Sequence, residues 1–229
     1  MFKHPNHPSE IEDIHKGRRA IVCGSGPSLN NIDFSRVSDD NVIFACNQSV
    51  TVMSKCDYFC MTDHAVPKNS FFEYGVNITS KVATWGSFNS HEHIKNLHMQ
   101  LKDKIYFFER DHSNLYDLTK RDKFIQGIDS VQCAVHLAYI TGCSEIILAG
   151  VDLQHTDGKI YCNSKVYQED VDWGGDPNNP HSGHVSEMDT LDLSFDNWKD
   201  IVSNNDATFF TANKESRLAE LMPTLPIES

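Results

Sequence analysis

The chain has 229 residues, 39% of them hydrophobic, which suits one substantial globular core and removes any need for disulfide staples. With 20 Lys and Arg against 32 Asp and Glu, the formal charge of -12 excludes the basic footprint of a duplex nucleic-acid binder, while a local basic pocket for a phosphorylated ligand stays open. Seven cysteines, an odd number at irregular spacings and mostly inside apolar runs, read as reduced core thiols, so the expected location is cytoplasmic.

Residues 1–18 are polar and His-rich, lack an apolar stretch of signal-peptide length, and are expected to form a mobile leader. No run of about 18 apolar residues follows anywhere, so no membrane span is expected. From 19 to 229 the pattern is that of one α/β domain. Short β-rich runs recur at 20–23, 42–46, 57–61, 81–85, 105–108, 145–149 and 208–211. Several are continuous rather than alternating, as strands buried on both faces are. Between Asp129 and Gly142 the spacing predicts a helix. Asp129 or Ser130 would cap it, Val131, Ala134, Val135, Leu137 and Ala138 would form its apolar face, and Gly142 would stop it. Strand, helix, strand in that order implies a mostly parallel, Rossmann-like sheet. The Gly-, Pro- and Asn-rich stretch 157–182 has little periodicity and is expected to be a lid excursion. Two helices are expected after it, over 186–202 with Leu191, Phe195, Trp198 and Ile201 inward, and over 214–222.

The run Ile21-Val22-Cys23 enters Gly24-Ser25-Gly26-Pro27-Ser28-Leu29, a strand-to-loop turn whose small residues let a ligand approach the backbone. The same turn also serves as a tight βα connection with no ligand. It lacks the third glycine of a dinucleotide fingerprint and the Lys of a Walker loop, which disfavours NAD and Walker-type ATP use. Asn47 and Gln48 end the second strand and Thr62 the third; side-chain amides there offer donor and acceptor to a base or ribose without a charge to desolvate. Asp152, after Gly150-Val151, reads as a loop organiser ahead of a ligand group. His91 and His93, like Cys56 and Cys60, lack a second half at zinc-site spacing, so no metal site is expected. His184, in His181-Ser182-Gly183-His184, is placed to take a proton near neutral pH.

Taken in order, these segments resemble bacterial glycosyltransferase family 42, the lipooligosaccharide sialyltransferases. The matching pieces are Gly24 to Leu29 followed by Ile32-Asp33-Phe34-Ser35-Arg36, then Cys46-Asn47-Gln48, Ser130 leading its helix, Glu145 to Asp152, His181-x-Gly183-His184, and Ser216-x-Leu218-Ala219. The resemblance implies inverting transfer of a sugar from a CMP-sugar donor to a glycan hydroxyl, with no essential cofactor or metal. It makes His184 the general base and places Tyr161 on the leaving phosphate. Gly24, Ser25, Gly26, Asn47, Thr62, Ser130, Gly150, Asp152 and Gln154 would form the donor site. The implied partners are a nucleotide-sugar donor and a glycan acceptor, with no nucleic acid. A lipid-linked acceptor would bring peripheral membrane association, and an oligomer is compatible with the reading. The chain departs from the family where Ser25 and Thr62 stand for Asn, Gln154 for a second Tyr, and Gly127 for an Arg. The segment Gly150-Val151-Asp152-Leu153-x-x-Thr156-Asp157-Gly158-Lys159 also looks like the related 6-hydroxymethylpterin diphosphokinase group, which implies ATP-dependent pyrophosphoryl transfer with Asp152 and Asp157 on Mg2+. A nucleotide- or sugar-binding protein without catalysis is a third reading, motivated by the replaced positions.

Overall fold

Short, largely apolar runs form the strands of one sheet, and those at 19–23, 42–46, 56–61 and 145–149 lead into Gly24, Asn47, Thr62 and Gly150. The computed structural model describes residues 8–62, 71–85, 101, 104–154, 162 and 187–227. Its strands are β1 (Arg19–Cys23), β2 (Val42–Cys46), β3 (Cys56–Met61), β4 (Thr79–Trp85), β5 (Ile105–Asp111), β6 (Lys123–Ile125), β7 (Glu145–Ala149) and β8 (Thr208–Thr211). Between them lie α1 (Phe71–Ile78), α2 (Ser130–Ile140) and α3 (Glu187–Asn204), with short 3-10 turns elsewhere. The sheet order is β6-β5-β4-β3-β2-β1-β7-β8, and every neighbouring pair is parallel. The chain therefore steps outward from β1 to the β6 edge, and α2 carries it back to β7 beside β1. Cys23 pairs in register with Ala45 on one side and Ala149 on the other, so the carboxyl ends of β1, β2 and β7 lie level. Loops leaving a parallel sheet at such a reversal open a crevice.

Both sheet faces are buried, which is why the strands read as continuous apolar runs. Val22, Phe44, Tyr58, Phe108 and Leu148 pack with α2 and with Trp198 and Ile201 of α3; Ile21, Ile43, Phe59, Val82 and Ile147 pack the opposite face with Leu29 and Phe71. Ile21 and Val22 are both fully buried, each contributing on the order of 2 kcal/mol of burial energy. Either face of β1 therefore rejects a polar residue.

The capping of α2 follows its sequence. Asp129 is the N-cap, Thr141 the C-cap, and Gly142 takes the left-handed backbone (φ +93) that ends the helix. Three elements differ from expectation. Strand β6 has only three residues, too few to register as a periodic run. Helix α1 contains Gly75, a poor helix former, retained because a Cβ there would stand 2.8 Å from the Phe59 ring. The helix expected over 214–222 is only the 3-10 turn Arg217–Glu220. Ser216 caps it, and Pro223 follows closely. Residues 8–18, read above as leader, lie against α2: Ile11 is 1% exposed, and the amides of Asp13, His15 and Gly17 donate to the carbonyls of Ile140, Thr141 and Gly142. All seven cysteines are free thiols, and among the described residues no helix is long and apolar enough to cross a membrane.

A buried histidine ties α2 to the sheet edge. Nδ1 of His136 accepts from the Ile125 amide at 2.9 Å and Nε2 donates to the Lys120 carbonyl at 2.6 Å, with no exposed surface. Burial holds its pKa down to about 4 from an ordinary 6.5. Stability is therefore complete above pH 6.5 and falls toward pH 4, where the unfolded chain binds a proton that the folded chain refuses. The gap corresponds to about 3 kcal/mol. Urea midpoints measured from pH 7.5 to 4 are expected to drop steeply, and His136→Gln should flatten that slope; half-buried His15, also shifted down by burial, adds a smaller effect of the same sign. An unchanged slope in the variant would remove His136 as its source.

Candidate functional site

The loops after β1, β2, β3 and β7 and the first turn of α2 meet above the carboxyl edge of the sheet. Close approach explains the glycines. The amides of Gly24 and Gly26 donate to the carbonyls of Ala149 (2.8 Å) and Gly150 (2.7 Å). A Cβ on Gly24 would stand 2.6 Å from the Gly150 oxygen, and one on Gly26 2.6 Å from Asp152 Oδ2. Gly150 itself has φ +63 and would press a Cβ to 2.8 Å from the Gly24 oxygen. The glycines thus serve first to let two loops interlock, a packing reason that the sequence pattern alone did not separate from ligand approach.

Asp152 organises this junction, as its sequence context suggested. It is 3% exposed; Oδ2 accepts from the Ser28 amide at 2.9 Å, and Oδ1 accepts from Ser28 Oγ at 2.5 Å and Asn213 Nδ2 at 3.1 Å. Its carbonyl accepts from the Arg217 amide, and Ser216 Oγ donates to the Val151 carbonyl at 2.7 Å. The carboxylate therefore fills the start of the 3-10 turn Pro27–Asn31, where an incoming anion would otherwise sit. Leu153 beside it adopts φ +51, a left-handed backbone uncommon for a large side chain. Gln154 is exposed, its side-chain amide donating to the Glu215 carbonyl.

A second, uncharged cluster stands over β2 and β3. Asn47 adopts φ +50, which Asn tolerates better than most residues, and its Nδ2 donates to Ser130 Oγ at 3.3 Å. Ser130 Oγ and Thr62 Oγ1 share a hydrogen bond of 2.5 Å. Ser25 Oγ donates to the Cys46 carbonyl at 3.2 Å, bringing the glycine turn alongside. Asn47, Thr62, Ser130 and Ser25 thus stand together at the carboxyl ends of β1, β2 and β3. Gln48, the other amide at the end of this strand, is fully buried, and among the described residues neither of its amide atoms has a partner; Asn47 Oδ1 and Ser49 Oγ beside it are also unpartnered there. Buried polar atoms without partners are costly and mark places where a polar ligand or water belongs.

The N-terminus of α2 is likewise occupied by its own cap. Asp129 Oδ1 accepts from the amides of Val131 (2.9 Å) and Gln132 (3.0 Å), and burial raises its pKa against the lowering effect of these donors. Both helical starts at this edge therefore carry internal carboxylates, so anion attraction by bare helix termini is not the local design. Among the described residues no group of three His, Cys, Asp or Glu is placed to hold a metal ion. His184, Tyr161 and the 157–182 excursion lie outside the described residues, with the exception of Cys162. The Cys162 amide donates to the Ser25 carbonyl at 2.7 Å, and its carbonyl accepts from Asn30 Nδ2 at 2.8 Å. The residue following Tyr161 is thus pinned to the glycine turn.

Residues 2–158 match the family described as 6-hydroxymethylpterin diphosphokinase MptE-like. The chain belongs to this family. As an MptE-like chain it also shares its fold with solved sialyltransferases. The monofunctional alpha-2,3-sialyltransferase Cst-I from Campylobacter jejuni superposes with a TM-score of 0.57 at 16% identity, covering 93% of this chain and 82% of that one. CstII from Campylobacter jejuni, solved with the substrate analogue cytidine-5'-monophosphate, gives 0.53 at 17% identity, covering 93% and 87%. CST-II with a trisaccharide acceptor and CMP gives 0.51 at 16% identity, covering 93% and 88%. At such identities the likeness is one of fold. No curated protein matches the chain in sequence.

Proposed function

We propose that this MptE-like chain is a glycosyltransferase of sialyltransferase type, moving a sugar from a CMP-sugar donor to a glycan hydroxyl with inversion at the anomeric carbon. The observation that carries this reading is the uncharged cluster of Asn47, Ser130 and Thr62, with the unpartnered Asn47 Oδ1 beside it. Neutral donors and acceptors suit sugar and ribose hydroxyls, which offer both roles and no charge. The fold shared with enzymes solved with CMP supports it.

In this mechanism His184 removes the proton of the acceptor hydroxyl as its oxygen attacks the anomeric carbon. The bond from that carbon to the phosphate oxygen breaks on the opposite face. CMP leaves with the electron pair, its phosphate met by Tyr161. A lipid-linked acceptor would bring the protein to a membrane surface.

The family description favours a second reading, ATP-dependent pyrophosphoryl transfer with Mg2+. Asp152 fits that role poorly, because both of its oxygens already accept hydrogen bonds from Ser28 and Asn213. Calorimetric titration with CMP, UDP, NAD, and ATP with Mg2+ separates the two. CMP is expected to give the tightest binding; heat from ATP with Mg2+ and none from CMP would replace the first reading with the second.

A further inference from the structure

A chain of buried polar contacts joins α3 to the first turn of α2. Ser194 Oγ donates to Asp129 Oδ2 at 2.6 Å, the oxygen that the α2 amides leave free. Gln132 Nε2 donates to Ser194 Oγ at 3.3 Å; Gln132 Oε1 accepts from the Ile128 amide at 2.6 Å and from Asn197 Nδ2 at 2.9 Å. Asn197 also reaches the Leu115 carbonyl at 3.2 Å. Gln132 has no exposed surface, Ser194 is 3% and Asn197 7% exposed. Four polar side chains from two helices are thus mutually satisfied, an arrangement that fixes one relative placement because any slip leaves a buried group unpaired.

The network ends on a residue with a second duty. Asp129 Oδ1 orients the amides of Val131 and Gln132, and between them and Asp129 stands Ser130, whose hydroxyl meets Asn47 and Thr62. A hydroxyl on α3 therefore bears on the uncharged cluster through a single intervening carboxylate. Asn197, three residues further along the same helix, touches the network without touching the cap.

We infer that Ser194 is a positioning residue: its hydrogen bond to Asp129 locks α3 onto the N-cap of α2 and so holds Ser130 in place against Asn47 and Thr62. The effect on ligand affinity rests on the nucleotide-donor reading, whereas the effect on the cap does not. In Ser194→Ala the freed Oδ2 of Asp129 has no protein donor, the carboxylate can turn, and its grip on the two amides loosens.

Hydrogen exchange at the Val131 and Gln132 amides and calorimetric CMP binding, measured together with urea midpoints, test this. Ser194→Ala is expected to speed exchange at these two amides about tenfold beyond the change in global stability and to weaken CMP about tenfold, while Ser194→Thr, which keeps the hydroxyl, restores both. Ser194→Cys, close in volume and a weak donor, should reproduce the alanine result should Ser194→Ala fold poorly. Asn197→Ala should lower the urea midpoint without selective exchange at Val131 and Gln132. Equal exchange in the Ser194 and Asn197 variants, in proportion to lost stability, would overturn the inference and leave the network as ordinary packing. Selective exchange in Ser194→Ala with no CMP binding by the wild type would uphold the lock and remove the CMP-donor reading.

Discussion

His184→Ala is expected to lower turnover by about 10²- to 10⁴-fold while CMP affinity stays close to that of the wild type. The split follows from the assigned roles: the base acts on the acceptor hydroxyl, whereas the donor is held by Asn47, Ser130, Thr62 and the glycine turn. His181 is the internal control, since the family resemblance gives it no catalytic role, and its substitution should cost far less. Turnover of the wild type should also fall at acid pH as the imidazole takes up a proton and can accept none from the acceptor. That acid limb should vanish in the variant. Near-normal turnover in His184→Ala on a verified substrate, or an acid limb that persists in it, would assign the proton transfer to another group.

Asp152→Ala is expected to cost about 3–5 kcal/mol of folding stability, read as a fall in the urea midpoint. Its carboxylate is the shared acceptor for the Ser28 amide, the Ser28 hydroxyl and the Asn213 amide, so the variant strands three donors at a buried junction. Set against a total of roughly 5–15 kcal/mol for a typical domain, such a loss leaves little reserve. Asp152→Asn should be milder because it keeps the volume and one carbonyl acceptor. A midpoint within about 0.5 kcal/mol of wild type would deny the organising role. Stabilisation of the wild type by Mg2+ that Asp152→Ala abolishes would instead make Asp152 a metal ligand and favour pyrophosphoryl transfer.

Legibility of the fold in the sequence followed burial. Strands covered on both faces, such as β1 and β2, must be apolar throughout, so runs like Ile21-Val22 stand out. Helix α2 announced itself through Asp129 and Gly142 because caps are local chemistry. Strand β6 did not, since three residues carry no period, and α1 was hidden by Gly75, whose reason lies in the ring of Phe59. In the site, Asn47, Ser130 and Thr62 could be collected because each follows a readable strand or opens a readable helix. The partnership of Asp129 with Ser194 joins residues distant in sequence, and nothing in either neighbourhood points to the other. The unpartnered amide of Gln48 was hidden for a related reason: it is a property of the packed interior. The role of His136 is equally non-local, since its two ring nitrogens are held between the Ile125 amide and the Lys120 carbonyl.

The reversal of strand order at β1 has a consequence for how the protein is made. This pole of the sheet is assembled from residues 24–28, 47, 62, 129–130, 150–152 and 213–216, and Arg19 on β1 pairs with Glu145 on β7, far along the chain. A ribosome delivers the glycine turn first and its clamp last. Until Asn213 and Ser216 have emerged, Asp152 lacks part of its support, and the first-made loop has no rigid wall to close against. Contacts so distant along the chain form late and slowly, because loop closure must be completed before they reward it. The interlocked pole is therefore complete only once residues 213–216 have been made, and any ligand that binds the folded pole adds stability through mass action.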